Sequence, residues 1–326
     1  MRAVVADEAG GPEVLRVVER PDPEPGVGQV LLDVEATAVN GADLLQRRGL
    51  YPVPPGVTDV LGLECSGTVA AVGPGVDGLA VGDEVCALLD GGGYATRVVV
   101  SAGQVMPRPG GVDAVGAAAL PEVAATVWSN LVGVAGLRAG QRLLVHGGTS
   151  GIGTHAVQVA RALGAWCAVT VGTPDKAGAA RAFDPDAVVV YRDDDWTEQV
   201  RDATGGRGVD VVLDPVGGRY LDAHLRLLAP DGHLVVIGLK GGTRGEVDLA
   251  RLLTGRLSVS GTTLRGRPAE QKADVCAEVV RHVWPRVAAG DVRPVVDRVL
   301  ALDDVAEAHR VVEAGEHVGK VVLAVG

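Results

Sequence analysis

Residues 143–153 read Leu-Leu-Val-His-Gly-Gly-Thr-Ser-Gly-Ile-Gly, a short apolar run that leads directly into a glycine-rich turn. A helical pattern follows from Ile152 to Leu163. Glycines let the backbone turn sharply and approach a pyrophosphate closely, and the N-terminus of the next helix offers N–H donors and a positive potential. A glycine-rich turn by itself can also be a loop without a ligand. The prediction of a dinucleotide site therefore depends on what surrounds the turn.

Residues 122–261 alternate strand and helix patterns around this turn. A helical segment precedes each of the further apolar strands, which are predicted at Ala168–Val171, Val188–Val190, Val211–Leu213 and Leu234–Ile237. Continuous apolar strands suit a parallel sheet that is covered on both faces. The sequence therefore predicts a doubly wound α/β domain over residues 122–261, with the glycine-rich turn after its first strand.

Residues 1–121 follow a β pattern instead. Val30–Thr37 roughly alternates apolar and polar side chains, and short apolar runs recur between Pro-Gly and Gly-Asp turns. One short helix is predicted at Ala42–Arg47. The alternation of strands and helices fades after residue 261. We expect residues 262–326, which include a long helix at Ala269–Ala289, to pack back on the first domain.

The composition narrows the function classes. A chain of 326 residues favours two domains, because single cores rarely grow beyond about 250–300 residues. The net charge of −11 gives no electrostatic reason to bind nucleic acid or an anionic membrane. The sequence has no apolar run of about 18 residues and no signal-peptide core, so we expect a cytoplasmic protein.

The cysteines and histidines show no metal or redox motif. No C-x2-C pair occurs, and the four cysteines are expected to be small core residues: Cys65, Cys86, Cys167 and Cys276. The histidines have no ligand spacing, and four of them are expected at the surface: His224, His233, His282 and His309.

The strand after the turn bears on the choice between NAD and NADP. NAD enzymes carry an Asp or Glu about 20 residues after the turn, which accepts the ribose 2′-hydroxyl. Counting 19 positions from the last glycine of the turn reaches Gly172, which has no carboxylate to repel a 2′-phosphate. Thr173 and Lys176 follow, and Tyr191 ends the third strand; a hydroxyl, a cation and a phenol all suit a phosphate. Asp175 argues against this interpretation, and Lys176 can also be a solvated helix residue.

With these residues in place, the chain resembles the quinone oxidoreductase branch of the medium-chain dehydrogenase/reductase superfamily, and within it the p53-inducible type most. Besides the glycine-rich turn, the matching stretches are residues 10–13 (GGPE), 39–44 (VNGADL), 46–52 (QRRGLYP), 61–67 (LGLECSG), 121–122 (PE), 213–218 (LDPVGG) and 319–323 (GKVVL). The resemblance implies a GroES-like catalytic domain, a Rossmann domain that binds NADPH, and a homodimer paired through edge strands of the two Rossmann sheets.

The resemblance also implies which residues contact the cofactor. The turn residues that would hold the pyrophosphate are Thr149, Ser150, Gly151, Ile152 and Gly153. Thr126 would lie near the nicotinamide carboxamide, and Gly238 and Leu239 would line the same ring. Leu264 and Arg265 would lie beside the cleft. His317 falls where relatives often have an Asn that contacts the cofactor.

The same comparison removes the zinc site. Zinc-dependent relatives place a Cys near Asn40 and a His within a Gly-His-Glu triplet, which here is Gly62-Leu63-Glu64. Asn and Leu cannot replace thiolate and imidazole as zinc ligands. Without that Lewis acid the acceptor must already be electrophilic, which favours quinones and conjugated enones as acceptors of the cofactor's hydride.

Asn40 and Tyr51 are the predicted substrate-side residues. Asn40 can donate a hydrogen bond to the acceptor oxygen as charge develops there, or it can cap the helix that begins at Ala42. Tyr51 can donate in the same way or wall the pocket by packing alone. Asp43 is expected to pair with Arg47, four residues on, and solvent is expected to protonate the product.

The residues leave three functions open. The first is an NADPH:quinone reductase. The second is an enone, alkenal or enoyl-thioester reductase on the same scaffold, and the third is an NADPH-binding protein without catalytic activity. Hydride transfer to a β-carbon needs the same cofactor pose as transfer to a quinone, so the sequence separates the first two functions poorly.

Overall fold

The structure is a computed structural model that describes residues 1–192 and 195–325. The strands are β1 (Arg2–Ala6), β2 (Leu15–Glu19), β3 (Gln29–Ala38), β4 (Glu64–Val72), β5 (Glu84–Leu88), β6 (Arg97–Ser101), β7 (Val105–Pro107), β8 (Arg142–His146), β9 (Trp166–Val171), β10 (Ala187–Val190), β11 (Val209–Asp214), β12 (Leu228–Val236), β13 (Ser258–Gly261), β14 (Val296–Ala301) and β15 (Lys320–Ala324). The α-helices are α1 (Gly41–Arg47), α2 (Ala114–Ala118), α3 (Pro121–Trp128), α4 (Gly151–Ala162), α5 (Pro174–Arg181), α6 (Trp196–Ala203), α7 (Leu221–Leu227), α8 (Leu249–Gly255), α9 (Ala269–His282), α10 (Trp284–Ala288) and α11 (Val305–Ala314).

Packing divides the chain into two compact units. Unit 1 comprises Met1–Ala125, Leu264–Gly290 and Pro294–Gly326, and unit 2 comprises Thr126–Thr263 and Asp291–Arg293. The boundaries predicted after residues 121 and 261 lie a few residues before these divisions. Within the described residues, no helix has both the length and the apolar character needed to cross a membrane.

Unit 2 is built on a six-stranded parallel sheet in the order β10-β9-β8-β11-β12-β13. The chain starts at β8 in the middle, builds outward to β10, and then returns to build from β11 to β13. Leu144, Val212 and Leu234 of three strands are fully buried in one core cluster with residues of α6 and α7. The predicted Rossmann domain is thereby confirmed. Ligands of such sheets bind outside the carboxyl ends of the strands, where the strand order reverses.

Unit 1 is built on a seven-stranded sheet around β3. The strand order is β14-β15-β3-β4-β5-β7, β6 also pairs with β3, and β1 and β2 form a separate antiparallel pair. Val30, Leu32 and Val34 of β3 belong to the core of this unit, as their alternation predicted. The pairing of β15 with β3 makes residues 320–324 part of the same sheet. This β-rich unit confirms the predicted GroES-like domain.

The helix predicted at Ala269–Ala289 is two helices. Helix α9 ends at His282 and α10 begins at Trp284, with Val283 between them. Pro285 lies in the first turn of α10, where its missing N–H and its ring prevent α9 from continuing. The Trp284 indole N–H donates to the Pro107 carbonyl at 2.8 Å, which fixes the second helix against the end of β7.

Candidate functional site

The glycine-rich turn joins β8 to α4 in unit 2. Gly147 has a φ of +77°, in the left-handed region that glycine adopts without strain. A Cβ on Gly153 would lie 2.2 Å from the Gly147 carbonyl oxygen, so the first turn of α4 packs on the loop at a distance that only glycine allows. The tight turn leaves its backbone uncovered by side chains at these positions, as a pyrophosphate requires.

The first turn of α4 has the properties of an anion site. Ser150 caps the helix: its Oγ accepts the Gly153 N–H at 3.0 Å and donates to the Gly147 carbonyl at 2.8 Å. In the part of the chain that the structure describes, the amides of Gly151 and Ile152 have no acceptor. Orphan N–H groups at the positive end of a 12-residue helix suit a phosphate group. Thr149, which is buried, lies in the turn before them.

The end of β9 brings Gly172 against Tyr191. A Cβ on Gly172 would lie 2.9 Å from the Tyr191 hydroxyl oxygen, so the phenol lies across the position where NAD enzymes carry an acid. Thr173 caps α5, and its Oγ1 accepts the Lys176 N–H at 3.3 Å. The Tyr191 phenol and the first turn of α5, which carries Lys176, therefore both lie next to the end of β9. Position 172 itself carries no carboxylate.

Lys240, in the loop after β12, is a second cation at this end of the sheet that the sequence analysis missed. Although the residue is exposed, the protein displaces water from its ammonium group, and this burial together with repulsion from Lys176 lowers the pKa of Lys240. Two ammonium groups near enough to repel each other are stabilised when an anion binds between them. A signal existed in the sequence, since Lys240 directly follows Gly238-Leu239 and the chain has only four lysines.

The residues predicted around the nicotinamide lie on separate segments of unit 2. Thr126 is 9% exposed, and its carbonyl accepts a hydrogen bond from the Asn130 amide at 2.8 Å. A Cβ on Gly238 would lie 2.8 Å from the Pro215 carbonyl oxygen, so the loop after β12 packs closely on the turn after β11. Leu239 is 56% exposed, which leaves its side chain free to cover a ligand.

A buried polar chain lies below the turn in unit 2. His146 Nε2 and His224 Nε2 are 2.7 Å apart, and His146 Nδ1 is 2.8 Å from Thr170 Oγ1. His224 Nδ1 lies 3.6 Å from Asp214 Oδ2, and the Asp214 carboxylate accepts the N–H groups of Val216 and Gly217. The ligand atoms of the two histidines and Asp214 lie within 4.8 Å of one another, and in the described residues His224 Nδ1 has no hydrogen-bond partner.

The surface position predicted for His224 is wrong. The side chain is fully buried, and burial lowers the pKa of His224 to about 3, so the imidazole is neutral at physiological pH. The prediction for His309 is wrong in the same way, because His309 is fully buried in unit 1 between Arg47 and Tyr94. Local sequence patterns do not reveal which polar residues a distant segment covers.

Asn40, Glu64 and Lys320 form a buried polar triad in unit 1. Glu64 Oε1 accepts hydrogen bonds from the Asn40 amide at 2.9 Å and from the Lys320 ammonium at 2.7 Å, and Oε2 accepts the Glu122 N–H at 2.9 Å. The Lys320 ammonium also donates to Asn40 Oδ1 at 2.6 Å. The Asn40 amide group donates as well to the Ala38 carbonyl at 3.2 Å, so both of its hydrogens have acceptors within the protein.

The i,i+4 spacing predicted an ion pair between Asp43 and Arg47, and this prediction is wrong. The Asp43 carboxylate accepts hydrogen bonds from the Asn40 N–H at 2.8 Å, the Gly62 N–H at 3.2 Å and the Tyr94 hydroxyl at 3.1 Å. Burial raises the pKa of Asp43 to about 6, against the opposing effect of these donors. Asn40 occupies the N-cap position of α1, and Asp43 in the first turn holds the Asn40 backbone in place.

Tyr51 lies against Arg265 in unit 1. The Arg265 guanidinium carbon is 5.5 Å from the centre of the Tyr51 ring, a cation–π contact. Burial, followed by the charge of Glu122, raises the pKa of Tyr51, so the phenol keeps its proton at physiological pH. Leu264, next to Arg265, is buried, and His317 lies half-buried within reach of the Asp297 charge.

The predicted site residues are thus distributed over both units. Unit 1 carries Asn40, Tyr51, Leu264 and His317, and unit 2 carries the turn residues 149–153, the group at 172–191, Thr126, Gly238 and Leu239. Lys240, Lys320 and the role of Glu64 were not predicted. Each of these depends on a contact between segments that are far apart in the sequence.

The two-unit architecture matches family models and solved structures of known proteins. The family model for the alcohol dehydrogenase GroES-like domain matches residues 26–110, and the zinc-binding dehydrogenase model matches residues 183–323. A mycobacterial quinone oxidoreductase structure is 34% identical, covers 100% of both chains and has a TM-score of 0.86. The chain belongs to the medium-chain dehydrogenase/reductase superfamily. Its members include oxidoreductases that use a nicotinamide cofactor, and the predicted superfamily is confirmed.

Other relatives in this superfamily carry different descriptions. A structure described as an NAD-dependent alcohol dehydrogenase is also 34% identical over 100% of both chains, with a TM-score of 0.87. The Escherichia coli quinone oxidoreductase in complex with NADPH is 29% identical over 100% of both chains, with a TM-score of 0.90. The phthioceranic/hydroxyphthioceranic acid synthase of Mycobacterium tuberculosis is 37% identical over 303 residues, which are 92% of this chain but only 14% of the synthase.

The zinc ion of zinc-dependent superfamily members does not fit the residues of this chain. Leu63, which is buried, offers no ligand atom, and the Asn40 amide is bonded to Glu64 and Lys320. The Lys320 ammonium already supplies a positive charge at Glu64, and a second cation there would be repelled. The matched family model is named for zinc-binding dehydrogenases, but these residues of the chain do not suit a zinc ion.

Proposed function

We propose that this chain reduces quinones with NADPH and without a metal ion. The observation that carries the proposal is the Asn40–Glu64–Lys320 triad, which puts a protein ammonium group at the positions where zinc-dependent relatives carry ligands. An acceptor that receives no help from a Lewis acid must be electrophilic by itself, as quinones are. Membership of the p53-inducible type within the quinone oxidoreductases stays a prediction.

NADPH would supply the hydride, and unit 2 supplies the residues that fit it. We assign the pyrophosphate to the uncovered turn and to the orphan amides of Gly151 and Ile152. The ribose 2′-phosphate is assigned to Lys176, Lys240 and Tyr191, where repulsion between two lysines favours a bound dianion and position 172 carries no acid. The NADPH complex of the Escherichia coli relative supports this choice of cofactor.

Tyr51 is the proposed donor to the acceptor oxygen. Its hydroxyl keeps its proton, and in the described residues the hydroxyl makes no hydrogen bond. Asn40 can donate to the acceptor only by giving up its bond to Glu64 or to Ala38. We therefore propose that Asn40 acts through Lys320 as a positioning residue. We keep as proposed contacts of the cofactor the residues that the resemblance implied: Thr126, Gly238, Leu239, Leu264 and His317.

A second candidate function is the reduction of the C=C bond of an enoyl thioester. The 37% identity with the mycobacterial acid synthase over 92% of this chain favours it. The two functions use the same cofactor and the same hydride, and they differ in the acceptor atom that receives it. A thioester substrate also brings a long carrier group, which a quinone does not have.

A comparison of acceptors tests the proposed function. We would measure oxidation of NADPH and of NADH by an ortho-quinone, a para-quinone, a short enone and an enoyl thioester, with a chelator present throughout. The proposal expects kcat/KM to be highest with NADPH and a quinone and to be insensitive to the chelator. Preference for the enoyl thioester would select the second function, and absence of turnover with all four acceptors would reject both. Equal use of NADH would overturn the assignment of the phosphate site.

We also propose a homodimer that pairs through β13. This strand is the edge of the unit 2 sheet, and its Val259 is 44% exposed. Leu249 and Leu253 of the adjacent helix α8 are 67% and 78% exposed, an unusual number of large apolar side chains beside an unpaired edge. Analytical ultracentrifugation of the wild type and of Val259→Lys tests this proposal. A monomeric wild type would contradict it.

We keep the cytoplasmic location as a proposal. The four cysteines are all buried and unpaired, as thiols are in a reducing compartment. Fractionation of the source cells tests this location. Recovery of the protein outside the cytoplasmic fraction would contradict it.

A further inference from the structure

The Arg265 side chain is held in unit 1 by two of its three nitrogen atoms. Nε donates to the Asp90 carbonyl at 2.6 Å, and Nη1 donates to Gln46 Oε1 at 2.8 Å. The Gln46 amide nitrogen in turn donates to the Asp59 carbonyl at 3.4 Å, which keeps its oxygen facing Arg265. The guanidinium is therefore oriented before any ligand binds.

The third nitrogen, Nη2, has no hydrogen-bond partner in the described part of the chain. Arg265 is only 6% exposed, and across the described residues no acceptor lies within hydrogen-bond distance of Nη2. Buried donors in native proteins are almost always paired, and a charged donor is the most unfavourable one to leave unpaired. An arginine that is fixed at two nitrogens and unpaired at the third is arranged to bind an oxygen that the free protein does not contain.

The charge around Arg265 leaves this donor available. The Asp90 carboxylate is bonded to the Lys272 ammonium and not to Arg265. The Asp90 oxygen that accepts a hydrogen bond from Arg265 is the backbone carbonyl, which carries no net charge. The charges of Asp43, Asp90 and Glu122 favour the charged form of Arg265 from a distance. Among residues 1–192 and 195–325, no carboxylate forms an ion pair with the Arg265 guanidinium.

Tyr51 supplies a second donor and covers the first. Its ring lies over the guanidinium, and its hydroxyl makes no hydrogen bond in the part of the chain that the structure describes. No helix or strand is present between Arg47 and Glu64, and Leu50, next to Tyr51, is 69% exposed. Tyr51 itself is only partly buried, so its hydroxyl and Arg265 Nη2 are two neighbouring donors of unit 1 that have no acceptor among the described residues.

From this geometry we infer that Arg265 Nη2, together with the Tyr51 hydroxyl, binds the acceptor oxygen on which negative charge develops. The inference rests on the proposed function and names its substrate-binding residue. As one hydride, which carries two electrons, passes from NADPH to the acceptor carbon–oxygen π-system, the oxygen becomes an oxyanion, and a solvent proton neutralises it to give the reduced product and NADP⁺. Donors that are aimed at such an oxygen in a dry site stabilise the transition state more than the ground state.

The test compares Arg265→Met and Arg265→Lys with the matched control Arg281→Met. Arg281 is an exposed arginine of the same unit whose ion pair in the described residues is with Glu278 on its own helix. With NADPH and a para-quinone, we expect Arg265→Met to lower kcat/KM by about 10²-fold, the usual effect of removing one oxyanion donor. Arg265→Lys keeps the positive charge but lacks the planar, several-donor guanidinium. We therefore expect it to lower kcat/KM by an intermediate factor. NADPH affinity should change less than about twofold in all variants, and Arg281→Met should equal the wild type.

A binding measurement without cofactor provides an independent readout. The probe is 4-nitrophenol, whose phenolate absorbs visible light. A guanidinium at the bound phenol oxygen favours the phenolate, so its titration should move to lower pH on the wild type and on Arg281→Met, but not on Arg265→Met. Circular dichroism verifies that each variant is folded. If Arg265→Met does not fold, the comparison is made with Arg265→Lys.

The outcomes separate this inference from the proposed function. Turnover of a quinone together with unchanged kcat/KM and an unchanged nitrophenol titration in both Arg265 variants would overturn the inference and leave the function intact. If the wild type reduces none of the acceptors but shifts nitrophenol in an Arg265-dependent way, the function falls and the oxyanion site stands.

Discussion

The Lys320 ammonium lies 2.7 Å from a carboxylate oxygen of Glu64, and both residues are buried in unit 1. Lys320 begins β15 and Glu64 begins β4, so the ion pair joins two strands on opposite sides of β3. The same ammonium orients the Asn40 amide. A single lysine near the end of the chain therefore completes a polar site whose other members lie in the first 64 residues.

We predict that Lys320→Met destabilises the protein by about 3–5 kcal/mol, because the Glu64 carboxylate is then buried without its cation. Lys320→Arg is the matched control because it keeps the positive charge, and its free energy of unfolding should fall clearly less. Urea denaturation followed by circular dichroism measures both free energies of unfolding. A Lys320→Met protein within about 1 kcal/mol of the wild type would show that the pair contributes little.

Gly153→Ala should abolish tight NADPH binding while the chain still folds. The added Cβ would lie 2.2 Å from the Gly147 carbonyl oxygen, so the loop must move away from the first turn of α4. We expect the Kd for NADPH to rise at least about tenfold, a loss of about 1.4 kcal/mol. Gly178→Ala on α5 is the control, because its Cβ would meet no atom within 4 Å. Nicotinamide fluorescence titration measures the affinity, and equal affinity in the two variants would refute the tight-turn argument.

Lys240→Ala is expected to weaken NADPH binding by about 10–100-fold, the effect of losing one charged hydrogen bond to a phosphate. NADH lacks the 2′-phosphate, so its affinity should be nearly unchanged. Lys176→Ala should behave similarly, and the double variant should lose less than the sum of the two, since removing one lysine relieves the repulsion on the other. Equal losses for NADPH and NADH would locate Lys240 away from the phosphate.

Stability should fall as the pH drops from about 6.5 toward 4. Burial lowers the pKa of His224 and His309 to about 3, below the value of about 6.5 in the unfolded chain. The unfolded state therefore binds more protons in this window, and stability rises with pH until about 6.5. Asp43 and Asp214, whose pKa values burial raises to about 6, act in the opposite direction between about 4 and 6.

The histidines outweigh the two aspartates in this balance. Burial also lowers the pKa of His155 to about 4, that of His146 well below its usual value and that of His233 to a smaller degree, so five histidines oppose two carboxyl groups. His224→Gln should accordingly reduce the loss of stability between pH 7 and pH 5, whereas His282→Gln, at the surface, serves as the control. Urea midpoints at the two pH values provide the measurement. An unchanged pH dependence in His224→Gln would contradict the burial argument.

The sequence by itself determined the strand–turn–helix at residues 143–163, the parallel sheet of unit 2 and the β-rich character of unit 1. Each of these follows from short-range patterns: apolar runs, alternation with a period of two, and glycines where the backbone must turn. The lack of Cys and His at positions 40 and 63 is likewise visible residue by residue. The break between α9 and α10 was also readable, because Pro285 lies inside the predicted helix, four residues before its end.

Only the tertiary structure decided which distant polar groups meet. Lys320 bonds to Asn40 across 280 positions, and Arg265 bonds to Gln46 across 219. Lys240 lies near enough to Lys176 to be repelled by it because the loop after β12 and the first turn of α5 follow strands of one sheet. His224 and His309 are buried because segments far away in the chain cover them. The hydrogen bonds and charges of the candidate site act between such segments, and their partners are set by strand order and packing, which local sequence patterns do not encode.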